Sequence, residues 1–326
     1  MPIFFPAKKR VLLLIAVLLN IVLVAQPIPD SVLSAYNAAD KPSSKGRVLI
    51  KYLVTDIAND SAALIQGKAA LTYFKTQDDE VGIDYTQLCV AGRLGSIGDY
   101  ASGVTIGLKN LQHFEERTDT FGILTALKTI GNCYIYAQQP TEAILYYKRG
   151  ISLAHTSGDQ KSLAASYNNL GFGFSQAGRN DSALVYGQKA VGLYTELSDD
   201  RNLAGALGTV ADIYVANRDF DLAVPFLRRA IALGVEHEDY FTTANAHNNF
   251  AQIYLDAKQF DSTILHAQIA RGIGWEWEYN DQLLRSYEFL YKSYEATVHQ
   301  DSMIKYFRLA MKAKDRLFDL EKMRNI

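Results

Sequence analysis

The sequence is poor in almost everything from which an active site is assembled. Its six histidines, His113, His155, His237, His247, His266 and His299, are scattered, and none stands at a two-histidine metal spacing with a carboxylate ligand beside it. No phosphate-cradling glycine loop precedes a lysine, and no serine occupies a nucleophile-elbow context. These absences point to a protein that is not an enzyme and holds no cofactor or metal. The two cysteines, Cys89 and Cys133, lie 44 residues apart. Export would permit a disulfide, but cysteine commonly packs as a small apolar group, so the pair reads as two buried free thiols. Charge shows no excess of either sign, with 33 Lys and Arg against 35 Asp and Glu. A nucleic-acid binder usually carries a clustered basic face, so that class of partner is set aside.

No uncharged apolar run reaches the ~20 residues that a transmembrane helix needs. The run Val11 to Ala25 has fifteen and follows Lys8-Lys9-Arg10, which is the arrangement of a signal peptide. The expectation is therefore that residues 1–25 are cleaved and the protein is exported to the periplasm. The alternative is an uncleaved anchor over residues 11–25, because Leu23 is a poor residue two before the cut and Asn20 interrupts the run. There is no cysteine near the cut to carry a lipid. Cleavage would leave 30 basic against 35 acidic side chains, a net charge of −5. Next, Gln26 to Ser44 holds Pro27, Pro29, Pro42 and paired serines. Residues 26–43 thus read as a tether with at most a short helix around Val32 to Asn37.

What the chain has in quantity is repetition. From Ala164 to Ala204, Tyr167, Leu170, Gly171 and Phe174 fall on one helical face, and Ala183, Tyr186 and Ala190 fall on another after the break Gln176 to Asn180. Gly178 and Asn180 supply turn chemistry between the two, so the unit is a helical hairpin. Sliding the pattern by forty residues finds it again. The Leu170 column runs Val90, Ile130, Leu170, Val210, Phe250 and Leu290. The next column stays small at Ala91, Gly131, Gly171, Ala211 and Ala251, and Tyr291 breaks it. Three residues on, the column becomes Leu94, Tyr134, Phe174, Tyr214, Tyr254 and Tyr294. Second helices carry Gly103, Ala143, Ala183, Ala223, Thr263 and Met303 in one column and Gly150, Ala190, Ala230, Ala270 and Ala310 in another. A weaker upstream unit uses Ile50, Val54, Ala63 and Ala70. Helices approach closely only where a small side chain faces a large one, so the small columns are read as facing the aromatic ones.

The signature of Tyr167-Asn-Asn-Leu-Gly171 through Ala190 resembles the tetratricopeptide repeat. The match spans residues 84–310 and extends less completely back to 44. It departs from the consensus in period, forty residues against ~34, and it lacks the consensus tryptophan and closing proline. The resemblance implies an all-α solenoid of stacked antiparallel hairpins, with units starting near 44, 84, 124, 164, 204, 244 and 284, and a scaffold or ligand-binding role. Residues 311–326 continue as a trailing helix with an apolar stripe of Leu317, Leu320 and Met323, expected to fold back or to pair with a second chain. Lys314 to Phe318 with Glu321-Lys322 is similar to the segment that leaves the repeat array in exported sensor proteins of the two-component type.

Three further readings complete the sequence level. Asp79, Asp119, Asp159, Asp199 and Asp239 form a column just before each first helix and are expected to cap it, and Pro225 is placed in the first turn of its helix. Trp275-Glu-Trp277 is placed in a connector, covering the end of the preceding hairpin. First helices are expected to line the concave side, with Lys128, Asn132, Asn168, Asn248, Gln252, Glu288 and Lys292 facing a bound peptide whose backbone amides asparagine and glutamine can satisfy. The function that follows is a non-enzymatic exported scaffold for a peptide or protein partner. The alternatives are a sensor ectodomain lacking its membrane span and kinase, and a carbohydrate-uptake component of the outer membrane.

Overall fold

In the computed structural model, which describes the backbone of residues 28–56 and 60–322 and the side chains of 28–54 and 62–315, fifteen α-helices and no strand occur among the described residues. The proposed signal segment 1–25 and Met323 lie outside what is described, as do the side chains of Leu317 and Leu320 in the same stripe. The order is α1 (Asp30–Asn37), α2 (Pro42–Ile50, running on into a π-helical turn at Lys51–Asp56) and α3 (Asp60–Thr76). Six regular hairpins follow: α4 (Glu80–Ile97) with α5 (Tyr100–Glu116), α6 (Thr120–Tyr136) with α7 (Pro140–Ser157), and α8 (Gln160–Gln176) with α9 (Asn180–Glu196). Then come α10 (Asp200–Ala216) with α11 (Phe220–Glu236), α12 (Tyr240–Asp256) with α13 (Phe260–Trp277), and α14 (Asn280–Ala296) with α15 (Gln300–Lys322). The array is a helical solenoid of the tetratricopeptide type. Its first helices begin about four residues ahead of the unit starts near 84, 124, 164, 204, 244 and 284.

The forty-residue period is two beats of twenty. From Asp78 to Val298 every twentieth residue has a positive φ, and of these twelve only Gly98, Gly158 and Gly178 are glycine. Each is the left-handed residue that ends a helix. The residue after it closes the old helix with its N–H and opens the next. Asp119 N–H, for instance, donates to Phe114 O at 2.9 Å while its carboxylate accepts from Gly122 N at 3.2 Å. Asp79, Asp159, Asp199 and Asp239 cap their helices in the same way. One connector of two or three residues therefore satisfies both helix ends, and regular spacing follows from it. Val298 is the least suited occupant of this position, a β-branched residue held at φ 60° with its side chain 79% exposed. Replacing it with glycine relieves that strain without removing a contact, so Val298→Gly is expected to raise the urea midpoint by the equivalent of about 1 kcal/mol.

The apolar columns form the core. Val90, Ile130, Leu170, Val210, Phe250 and Leu290 are all buried, as are Ala183, Ala223, Ala190, Ala230 and Ala270. At Gly131 an added Cβ would fall within 2.4 Å of the Tyr147 ring, which is the small-against-aromatic contact in its plainest form. Consecutive first helices touch one another, whereas consecutive second helices are held apart. The stack is therefore tighter along its first helices, and these form the inner face. Among the described residues no helix is long and apolar enough to cross a membrane.

Four sequence expectations change here. Ile28 and Tyr36 are buried in one cluster with Leu49 and Phe74, and the Tyr36 hydroxyl donates to Asp79 Oδ2 at 2.9 Å. The described part of the supposed tether thus packs as a cap on the first hairpin, because a tyrosine and an isoleucine offered it enough apolar area. Pro225 is the sixth residue of α11 and lies within the helix, where it withholds the N–H that would bond the Asp221 carbonyl. Its ring is exposed, so the loss is confined to that bond. Trp275 and Trp277 belong to the last turn of α13, not to a connector. Trp277 stacks on Tyr240 with ring centroids 4.7 Å apart, while Trp275 stays exposed. Finally, the small-residue column at Gly171 meets backbone and not an aromatic ring. Cys89 and Cys133 are buried and free, and burial pushes both thiols up to about 12.

Candidate functional site

Four consecutive first helices, α6, α8, α10 and α12, enclose a cavity of ≈ 280 Å³ on the inner face. The floor is α10, which contributes Gly205, Gly208, Thr209 and Asp212. One wall carries Asn132, Ile135 and Tyr136 from α6 and Asn168, Asn169 and Phe172 from α8; the other carries Phe241, Thr242 and Asn245 from α12.

The floor is low because side chains are missing from it. In the repeat register Gly205 and Gly208 correspond to Arg285 and Glu288 two units later. Neither glycine is demanded by packing, since an added Cβ would meet Thr242 at 3.9 Å and 3.6 Å, ordinary contact distances. Glycine inside a helix costs about 1 kcal/mol against alanine. A helix that carries two of them with no close neighbour keeps that space open at the expense of its own stability.

Asn168 shows the consequence. Its Oδ1 is buried and makes no hydrogen bond. The equivalent residue in unit five, Asn248, is fully buried and satisfied: its Nδ2 donates to Gln282 O at 3.1 Å and Oε1 at 2.9 Å, and its Oδ1 accepts from Ser286 Oγ at 2.9 Å. The position matching Ser286 beside Asn168 is Ala206, which has no donor. Asn248 is therefore not a groove residue, contrary to its assignment from sequence, because α14 covers it. Of the other residues assigned there, Asn132 lines the cavity and accepts the Tyr147 hydroxyl on its Oδ1 at 2.7 Å. Lys128, Gln252, Glu288 and Lys292 do not line it. Lys128 projects from α6 and is exposed. Gln252 bonds Asp256 one turn on in its own helix at 3.0 Å.

A polar ladder runs from the cavity floor across the next two first helices. Asn245 Nδ2 reaches both Asp212 oxygens at 2.9 Å and 3.0 Å, and Asn249 Nδ2 also donates to Asp212. The carbonyl ends of the same two amides accept from Arg285, at 2.7 Å for Asn245 and 3.0 Å for Asn249. Asp212 and Arg285 are thus joined through two asparagines and do not touch. Burial raises the Asp212 pKa, with Arg285 and the two amides acting against that shift. Sequence reasoning missed Asn169, Asp212, Asn245, Asn249 and Arg285. It reached two of the columns that line the cavity, those of Asn168 with Gly208 and of Asn132 with Phe172 and Asp212, and missed the adjacent ones of Asn169 with Thr209 and of Gly205 with Asn245. Polar residues recurring in the column Asn169, Thr209 and Asn249 would have marked it.

On the outer flank of α12 the ladder is backed by a histidine pair, His247 Nδ1 to His266 Nδ1 at 2.9 Å. Other hairpins place tyrosines at this contact, Tyr167 with Tyr186 and Tyr287 with Tyr306. Desolvation first, and His266 second, lower the His247 pKa from 6.5 to about 4. An unfolded chain therefore takes up this proton at higher pH than the folded one. Stability from the pair is complete above pH ~6.5, declines as pH falls and is gone below ~4, a loss of about 2 kcal/mol after allowance for water reaching a half-buried pair. The variant with both His247→Tyr and His266→Tyr is expected to lose that stretch of acid sensitivity, which urea midpoints measured between pH 4 and 7 would register.

A second cavity of ≈ 250 Å³ lies between the start of α4 and the end of α5, lined by Glu80, Ile83, Asp84, His113, Glu116 and Arg117. Its polar groups are already matched: Asp84 is buried against Arg117 and against His113 Nδ1 at 3.0 Å. Among the described residues no group of three or more His, Cys, Asp or Glu side chains is placed to hold a metal ion.

Residues 162–234 match the family model described as Tetratricopeptide repeat. No curated protein matches the chain in sequence. Among solved structures the chain is similar to a Rap protein complexed with competence and sporulation factor, at 16% identity over 93% of this chain and 84% of that one, TM-score 0.67. It is also similar to the Rap conjugation gene regulator of plasmid pLS20 in complex with the Phr* peptide, at 13% identity over 86% and 75%, TM-score 0.66. Aspartyl phosphate phosphatase F from Bacillus subtilis is a third, at 12% identity over 87% and 72%, TM-score 0.62. At these identities the likeness is one of fold.

Proposed function

We propose that this tetratricopeptide-repeat protein is a non-enzymatic scaffold that takes an extended segment of a peptide or protein partner into the cavity over α10. The observation that carries the reading is the buried, unbonded Asn168 Oδ1 beside a floor cleared by Gly205 and Gly208. A buried acceptor left without a partner costs ~1–3 kcal/mol, and a peptide N–H supplies the missing donor. Asn132 has its carbonyl end occupied by Tyr147 and offers its amide N–H to a peptide C=O. Two of the similar solved structures hold a signalling factor or peptide, which agrees with this use of the fold. Isothermal titration with end-blocked hexapeptides tests it. Binding to the wild type and a weakening of about tenfold in Asn168→Ala are expected; no binding by any peptide, or an unaltered Asn168→Ala, would refute it.

We further propose export, on the basic cluster and short apolar run of residues 8–25. Intact-mass measurement on protein from its native host should find a chain beginning near Gln26. A chain still beginning at Met1 would refute cleavage.

A further inference from the structure

We infer that the cavity contains a cation subsite, in which a lysine or arginine side chain of the bound segment lies between Phe172 and Phe241 and sets its charge against Asp212. This inference rests on the groove reading above and adds the chemistry of the residue recognised.

Three observations converge on it. Among the described residues Asp212 is the one charged residue lining the cavity, and no lysine or arginine lines it. The carboxylate is bonded only by the neutral amides of Asn245 and Asn249, and the nearest balancing charge, Arg285, stands behind those amides. A carboxylate can accept about four hydrogen bonds. Two of the contacts reach Oδ1 and one reaches Oδ2, which leaves Asp212 capacity for a further donor, and the residue lines the cavity. Around it the lining is aromatic. Phe241 keeps 50% of its surface exposed and Tyr136 45%, and Phe172 completes the set. An aliphatic stem passing between such rings buries apolar area, and a guanidinium or ammonium near a ring face gains further attraction.

The lining selects the source of the cation. The cavity measures ≈ 280 Å³. It accommodates one side chain with its adjoining backbone. The asparagines along the walls at Asn132, Asn168 and Asn169 match that backbone, whereas a free quaternary ammonium would leave them unused.

The test compares three sets of end-blocked hexapeptides that differ at one position, which is Arg or Lys, norleucine, or Glu. Titrations use the wild type and Asp212→Asn, with choline and arginine amide as free competitors. On the wild type the basic set is expected to bind about tenfold tighter than the norleucine set, and Asp212→Asn should reduce that preference to within about twofold. Neither competitor should displace a basic peptide below millimolar concentration. Should Asp212→Asn fail to fold by circular dichroism, Thr209→Lys carries the same test. Thr209 lines the cavity one turn before Asp212, so a lysine there supplies the cation internally and should abolish the preference. Norleucine peptides binding the wild type as tightly as basic ones would overturn the cation subsite and leave the groove reading intact. A preference that survives the variant would do the same. Choline displacing the peptides at micromolar concentration would overturn the choice of a peptide side chain. Failure of every set to bind would overturn both readings.

Discussion

Gly171→Leu is expected to lower stability by at least about 3 kcal/mol and to shift the urea midpoint accordingly. An added Cβ at Gly171 would lie 2.9 Å from Gly187 N, 3.1 Å from Ala183 O and 3.3 Å from Gly187 Cα. All three atoms are backbone, so no side chain can turn aside; α8 and α9 must separate. Both helices carry glycine at the crossing, and separation exposes Leu170 and Ala183, which are fully buried. Gly171→Ala is a sharper test of the mechanism. Helix propensity alone would make it stabilising by about 1 kcal/mol, so a net loss measures the helix contact directly. An unchanged midpoint in both variants would mean that α8 and α9 are not packed in this register.

Such contacts were legible in the sequence because core packing repeats. Leu170, Gly171 and Phe174 have counterparts in most units, and the demand for close helix approach, a small residue against a ring at Gly131 and against backbone at Gly171, explains the small column. The capping aspartates could be read for the same reason. The beat of twenty could not, because the left-handed position is glycine in only three of its twelve occurrences. Residues such as Lys258 or Glu238 tolerate that conformation without advertising it. The site was hidden by a different cause. A binding surface is where the repeat departs from itself, and a reading built on periodicity looks for agreement. Asn168 and Asn248 share a column, yet Ser286 satisfies Asn248 whereas Ala206, in the matching position, leaves the Asn168 Oδ1 unbonded. Asp212 stands where other units have Asn132, Phe172 or Gln252, so its column carries no pattern. Only the three-dimensional placement of Gly205 and Gly208 beneath it shows what the irregularity is for.

Filling that floor should separate function from stability. Gly208 lines the cavity, and its nearest neighbour beyond its own helix is the Thr242 methyl, 3.6 Å from a built Cβ. Gly208→Leu therefore introduces no backbone collision. The substitution replaces the poorest ordinary helix former with one of the best, a gain approaching 1 kcal/mol, and adds a side chain that occupies part of the ≈ 280 Å³. The expected result is a protein as stable as the wild type or slightly more so, with peptide affinity reduced by about a hundredfold, the loss that follows when a segment is kept off Asn168 and Asp212 together. Gly171→Leu and Gly208→Leu make the same chemical change on neighbouring first helices and should give opposite outcomes. At Gly171 the glycine admits another helix, and at Gly208, on the proposed function, it keeps room for a ligand. Titration of a binding hexapeptide into Gly208→Leu, alongside its urea midpoint, decides the matter: wild-type affinity in a folded Gly208→Leu would show that the cavity over α10 is not where the segment sits.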